Sequence, residues 1–502
     1  MLITRRGYQI SKKKIKDEEL KKINEDLYII PKIMPPYNID EEPLKLIHTT
    51  EKNIFIPRYY GIEKFGDIFD EKIFNSKKIN CEFNGKLNDK QVDIMNDILP
   101  KIYKYHGGII SLPCGYGKTI IALYLISILK LKTIILVHKE SLKEQWIQRI
   151  KEFINIENIT IGIIQQNKIE NNADIIIGMI PSIAEHNYDK IFNDIGLLIV
   201  DECHHIASKV FSKCLYKIGA DYTIGLSATP TRKDGLTRII HWYLGPQLIF
   251  INTRDKLINT IIYNIKYESE DNKFKVLTRK YRGKETINTV DMITNMTKIS
   301  NRNILILNII KKLLEDNERY IMVLSERVDH LTLLKTDIDN YIKNNNLNIL
   351  TEYYRGASTA NERRNAENND NIHVLFGSYQ IASEGLDIPR LNTLIMVSPK
   401  KDVEQCIGRI QRKKHNIIPL VVDIIDQINP FQNYLRIKEK LYKKNNYIYK
   451  SFIHKDIKDN KNKFNIELLN NDNIIDNINN KECDEKEEEE EDNKIIIFKK
   501  ND

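Results

Sequence analysis

Between residues 86 and 250, short apolar runs rich in β-branched residues alternate with stretches long enough for helices. The runs include "GGIIS" (107–111), "TIILVH" (133–138), "ADIIIGM" (173–179), "IGLLIVDE" (195–202) and "YTIGLSATP" (222–230). Continuous apolar runs of this length, separated by helical patterns, predict strands buried on both faces in a parallel sheet wound with helices. A second alternation follows over 301–435, with runs at "RYIMVLSE", "IHVLFGSY", "LNTLIMVS" and "IPLVVDII". The pattern therefore predicts an α/β protein with two tandem units. Around them stand an N-terminal accessory region (1–85), a polar linker or insertion (251–300) carrying the basic patch "LTRKYRGKE", and a C-terminal extension (436–502). The two layouts are alike, although no internal sequence repeat is visible.

Composition adjusts this picture in three ways. The formal charge is +8, but residues 482–492, "ECDEKEEEEED", hold nine acids against one lysine; that segment contributes −8 and the remainder carries +16. A basic body suits a polyanionic partner, although coding bias toward lysine alone could give such an excess. The acidic end is predicted to be disordered and to aid solubility, with mimicry of nucleic acid toward the basic body as the alternative. The six cysteines form no Cys-x-x-Cys pair, so neither a zinc site nor a disulfide framework is expected, and the thiols read as reduced and intracellular. "MLITRRGYQISKKKIK" has no apolar signal core, and the longest apolar run, "IIALYLISIL", is too short to cross a bilayer. A protein not bound to a membrane is expected.

The chemistry begins at "GIISLPCGYGKTIIALYL" (108–125). An apolar strand runs through Pro113, Cys114, Gly115, Tyr116 and Gly117 into a helix opened by Lys118 and Thr119. A phosphate-binding turn needs converging backbone N–H groups, close approach without side chains, and a cation. The two glycines supply the first two, Lys118 would reach the β- and γ-phosphates of ATP, and Thr119 would ligand Mg²⁺. The usual leading glycine is missing, since Leu112 stands at its place. Taken alone, the stretch also fits an ordinary strand–helix turn with a solvated lysine. Downstream, the run "GLLIV" ends in Asp201 and Glu202, followed by Cys203, His204 and His205. At the C-terminal end of a sheet strand this pair suits phosphoryl transfer: Asp201 would hold Mg²⁺ through water, and Glu202 would polarise the attacking water. Ser227 and Thr229 of "SAT" carry hydroxyls that could bridge the carboxylate pair to the other unit.

"PCGYGKT", "DECHH" (a DEAH-like box) and "SAT", then "SEGLDIP" (383–389) and "QCIGRIQR" (405–412), stand in the order found in superfamily 2 helicases, and the chain resembles them over roughly 86–435. Their loops often read Pro-x-Gly-x-Gly-Lys-Thr, which accounts for Leu112. The resemblance implies two tandem RecA-like domains, 86–250 binding ATP and 301–435 completing the site, with a small N-terminal region and a disordered acidic tail. It implies an adenine-reading role for Gln91 in "LNDKQ", although Asn88 stands where a basic residue is usual. It places Gly385 and Asp387 on the nucleotide from the second domain, and makes Arg409 and Arg412 arginine fingers assisted by Gln405. Guanidinium groups stabilise charge spreading over the transferred phosphate, so hydrolysis would require domain closure. Nucleic-acid backbone contacts are implied for His138, Lys139, Ser182, Ser325, Arg327 and Arg355, while Trp146 reads as a packing residue.

"LPCGYGKT", "DECHH" and "GLSATPTRKDGL" followed by "YLGP" resemble the XPB/UvsW branch. There an Arg-Glu-Asp triplet is usual, whereas this chain has Arg232, Lys233 and Asp234. "FIPRYYGIEKFG" leading into the motor also resembles the transcript-release DNA helicases of poxviruses and giant DNA viruses. The expectation is an ATP-dependent translocase or helicase on DNA in viral transcription or repair, working with that machinery in a cytoplasmic viral factory or in the virion. An RNA helicase is the alternative, and a catalytically silent scaffold the remote one.

Overall fold

The computed structural model describes residues 2–30, 43–66, 75–113, 115–186, 191–205, 209–228, 236–251, 260–281, 284–354, 366, 369–384, 388–456 and 463–470. The chain divides into two units, 1–253 and 254–502.

In the first unit, residues 2–30 and 43–66 build a small substructure before the motor. Strands Leu2–Thr4, Gly7–Ser11, Asn53–Ile56 and His48–Thr49 form an antiparallel sheet in that order. Its buried face, with Tyr8, Ile10, Ile54 and Ile56, shares a core with Tyr60 of the helix Arg58–Phe65 and with Leu236 and Ile239, at the start of the helix Thr237–Leu244. Two arginines fasten it further. Arg58 donates to the carbonyls of Ala220 (2.6 Å) and Asp221 (2.9 Å), and Arg5 to those of Phe192 and Gly219. The accessory region is thus packed on the motor through apolar burial plus charge-assisted hydrogen bonds to carbonyls.

The motor sheet comprises β1 (Gly107–Ser111), β2 (Thr133–Val137), β3 (Ile161–Gln165), β4 (Lys168–Ile169), β5 (Ile175–Met179), β6 (Leu197–Val200), β7 (Tyr222–Ser227) and β8 (Gln247–Phe250). The order is β4-β3-β5-β2-β6-β7-β1-β8, parallel except for the β3–β4 hairpin. β1, β2, β5 and β6 are buried at every position. Helices α1 (Asp89–Tyr105), α2 (Lys118–Leu129) and α3 (Glu140–Phe153) contribute Ile98, Ile126 and Ile150 to the core that includes Ile110, Ile135 and Ile177. The order matters for function. β2, β6, β7 and β1 are consecutive neighbours, so the segments leaving their C-terminal ends lie side by side.

The second unit has a seven-stranded parallel sheet. Its strands are β9 (Ile261–Ser269), β12 (Ile321–Ser325), β13 (Leu350–Tyr354), β14 (Ile372–Ser378), β15 (Thr393–Met396), β16 (Leu420–Asp426) and β17 (Ile448–Asp456), in the order β13-β14-β12-β15-β16-β9-β17. Two strands fall outside the stretch expected to hold the sheet. β9 lies in the segment read as a linker or insertion, and β17 in the segment read as an extension. β9 pairs with β16 on one side and β17 on the other, over seven and nine residues respectively. Its polar Asn264 and Lys266 interrupt the apolar run that would have announced it, and Asn264 is fully buried. The basic patch forms the hairpin β10 (Thr278–Tyr281) and β11 (Lys284–Ile287), followed by α4 (Thr289–Met296). The acidic segment 482–492 lies outside the described residues. Among the described residues no helix is long and apolar enough to cross a membrane.

Candidate nucleotide site

The phosphate-binding turn follows β1. Gly115 (φ +89°) and Gly117 (φ +79°) take left-handed backbone conformations that a side chain would strain. A Cβ on Gly117 would also stand 2.3 Å from Nε2 of Gln91. The turn is fixed at both ends: the Leu112 N–H donates to the Ser227 carbonyl (3.1 Å), and the Ile121 N–H returns to Gly117 as a first helical bond (3.0 Å). Lys118 folds back so that Nζ donates to the Leu112 carbonyl at 3.0 Å. Leu112, at the position of the missing glycine, is wholly buried in the sheet core, so an apolar residue is what that position needs. Cys114 lies outside the described residues.

Gln91, expected to read adenine, is buried and bound into the protein. With Asn88 it forms a capping box at the start of α1: the Asn88 side chain accepts from the Gln91 N–H, and Gln91 Oε1 accepts from the Asn88 N–H. Its Nε2 faces the Tyr116 carbonyl at 3.4 Å, against the turn. Asn88 therefore has a definite task as the helix cap.

Asp201 and Glu202 leave β6, the strand between β2 and β7. Each Asp201 carboxylate oxygen accepts a hydrogen bond. Trp146 Nε1 donates to Oδ2 at 2.9 Å, and the Glu202 N–H donates to Oδ1 at 3.0 Å. Desolvation by burial, followed by the Glu202 charge, pushes Asp201 above the usual carboxylate range; the Trp146 N–H and the Lys118 charge pull the other way. Glu202 has a left-handed backbone (φ +49°), and its Oε2 is 3.3 Å from His204 Nδ1. His204 Nδ1 also lies 3.1 Å from Ser227 Oγ. Ser227 therefore reaches the carboxylate pair through His204 inside the first unit, while Thr229 lies outside the described residues.

The donor set fits Mg²⁺. Hydroxyl and carboxylate oxygens are hard ligands, and a nucleotide-bound Mg²⁺ takes one or two from protein and the rest from phosphate and water. Among the described residues no group of three or more His, Cys, Asp or Glu could hold a metal ion. Thr119 opens α2 beside Lys118.

In the second unit Arg409 donates Nε to the Ala382 carbonyl at 2.6 Å. That bond ties the "QCIGRIQR" segment to the helix Tyr379–Glu384, which leads into Gly385 and Asp387; the last two lie outside the described residues. Gln405 and Arg412 are half-buried in the same segment. Several residues expected to grip nucleic acid are engaged within the protein. Ser182 is buried and accepts from the Gln166 N–H. Ser325 is buried beside His330. Arg327 donates to Thr294 Oγ1 and to the carbonyls of Val290 and Glu326, holding α4 to the end of β12. His138 and Lys139 are half-buried after β2, and burial lowers the pKa of both. Arg355 and the 232–234 triplet lie outside the described residues.

Comparison with known proteins places the chain in a family. Residues 84–232 match the family described as type III restriction enzyme, res subunit, and 303–414 match the helicase conserved C-terminal domain. A protein of Acanthamoeba polyphaga mimivirus, named as an ATP-dependent RNA helicase, is 34% identical over 468 residues, covering 91% of this chain and 88% of its own. The chain belongs to the superfamily 2 helicases, of the viral type. A helicase of Invertebrate iridescent virus 6 is 30% identical, covering 74% of this helicase and 84% of its own length. In fold the helicase resembles Mss116p, solved with single-stranded RNA and AMP-PNP. The TM-score is 0.51 at 14% identity, over 74% of this chain and 78% of that one. This helicase is therefore an ATP-dependent enzyme acting on nucleic acid, built from tandem RecA-like domains.

Proposed function

We propose that this helicase is a DNA-dependent ATPase that moves along DNA and unwinds or remodels it in viral transcription or repair. The observation that carries the reading is the convergence of Lys118, the Asp201–Glu202 pair and the Ser227–His204 link at the ends of adjacent strands. Lys118 leaves the Leu112 carbonyl to neutralise the β- and γ-phosphates. Thr119 and Asp201 would hold Mg²⁺, which would supply charge neutralisation at the phosphates. Glu202, oriented beside His204, takes the proton of the attacking water. Arg409 and Arg412, with Gln405, serve the transferred phosphate, and Gly385 and Asp387 contact the nucleotide. Gln91 holds the phosphate turn against α1 and offers its remaining amide capacity to the base.

DNA is favoured by the XPB/UvsW-like wording of "LPCGYGKT", "DECHH" and "YLGP". The mimivirus relative's name favours RNA as a second reading. Steady-state ATPase with no polymer, single-stranded DNA, duplex DNA or single-stranded RNA separates them. Stimulation of about tenfold or more by DNA is expected, at moderate salt because phosphate contacts weaken steeply with ionic strength. Stimulation by RNA alone would overturn the DNA reading, since the 2′-hydroxyl is what distinguishes the two at a backbone site.

A further inference from the structure

We infer that Trp146 is a positioning residue for Asp201, its indole N–H fixing the carboxylate in the orientation that receives Mg²⁺. The inference rests on reading Asp201 as a metal ligand. Trp146 lies mid-way along α3, only 1% exposed, in the core that also holds Leu142, Ile150 and Ile177. A buried indole has a single donor and two side-chain torsions, so once its ring is packed the direction of its N–H is set. That donor meets Asp201 Oδ2 at 2.9 Å, although a backbone carbonyl would satisfy it equally well. The terminal torsion of an aspartate is soft. Two donors on opposite oxygens, Trp146 Nε1 and the Glu202 N–H, restrict it, while each oxygen keeps lone-pair capacity. A neutral donor also suits the task better than a lysine, because it orients the carboxylate without a charge that would repel the cation.

The partners that orient metal ligands are worth about 10–100-fold in metal affinity or activity. The test uses the full-length helicase with Trp146→Phe and with benzothienylalanine introduced at position 146, which keeps the bicyclic shape and replaces N–H by sulfur. Binding of a fluorescent non-hydrolysable ATP analogue is followed by anisotropy while free Mg²⁺ is titrated, and melting temperature is recorded beside it. The expected result is a rise of about tenfold in half-saturating Mg²⁺ for both variants. Nucleotide affinity without Mg²⁺ should be unchanged, and the benzothienyl protein should melt like the wild type. A shift in Trp146→Phe alone would assign the effect to shape, and no shift in either would remove the role altogether; both overturn the inference. Lys118→Ala is the control on the underlying reading. If it binds nucleotide like the wild type, the site itself is misread and the role of Trp146 falls with it.

Discussion

Lys118→Ala is expected to lower nucleic-acid-stimulated ATP turnover by roughly 10²–10³-fold, the range for losing one preorganised charge-stabilising donor in a catalytic site. Two effects act together. The variant lacks the ammonium that would meet the β- and γ-phosphates. It also lacks the positive charge that holds Asp201 toward its ionised form against desolvation and Glu202. Folding should survive. Lys118 is half-exposed at the start of α2, and its hydrogen bond to the Leu112 carbonyl joins two ends of one short loop. Melting temperature within a few degrees of wild type, with turnover reduced at saturating ATP, is the expected pair of measurements. Turnover within tenfold of wild type would show that this turn is not the phosphate site.

The second large effect is on stability. Arg302, in the helix α5 (Ser300–Leu313), is fully buried and makes a two-pronged contact with Asp426, itself fully buried at the end of β16. Nε reaches Oδ1 at 2.8 Å, Nη2 reaches Oδ2 at 2.9 Å, and Nη1 donates to the Val397 carbonyl just beyond β15. One side chain thus pins the ends of the two strands that flank the "QCIGRIQR" segment. Arg302→Met would leave a carboxylate buried without its cation, a change that costs about 3–5 kcal/mol. Replacing both partners, Arg302→Met with Asp426→Leu, should restore most of that loss, because it removes the uncompensated charge as well. Denaturant melts of the full chain provide the test, with hydrogen exchange of residues 420–426 reporting the second unit. A single variant as stable as wild type would mean that Asp426 does not depend on Arg302.

The reach of the sequence can be judged from particular residues. The motif order was legible because phosphoryl transfer demands specific side chains on short local segments: a glycine turn, a lysine, adjacent acids. Leu112 looked like a defect against the general loop pattern, yet its burial shows it serving the sheet. β9 and β17 were not legible, since a parallel strand is recognised by neighbours far away in sequence and polar positions break its apolar run. Ser182 and Ser325 stood among the implied nucleic-acid contacts, and only packing revealed that both are buried. Trp146 read as packing, which it is; its hydrogen bond to Asp201 spans 55 residues of sequence. The one available hint was that a buried indole needs an acceptor.

By itself the sequence determined the class of chemistry, the α/β alternation and the chain order of the motifs, all of which are written in local patterns of burial and side-chain type. Tertiary structure alone decided which strands are neighbours, and through that the meeting of Lys118, Asp201, Glu202, His204 and Ser227. It also decided that Trp146 donates to a carboxylate, that Gln91 lies against the phosphate turn, and that Arg327 is spent on α4. The physical reason is that a hydrogen bond acts over about 3 Å, and a sheet of parallel strands brings such partners together only through long crossovers that leave no local trace.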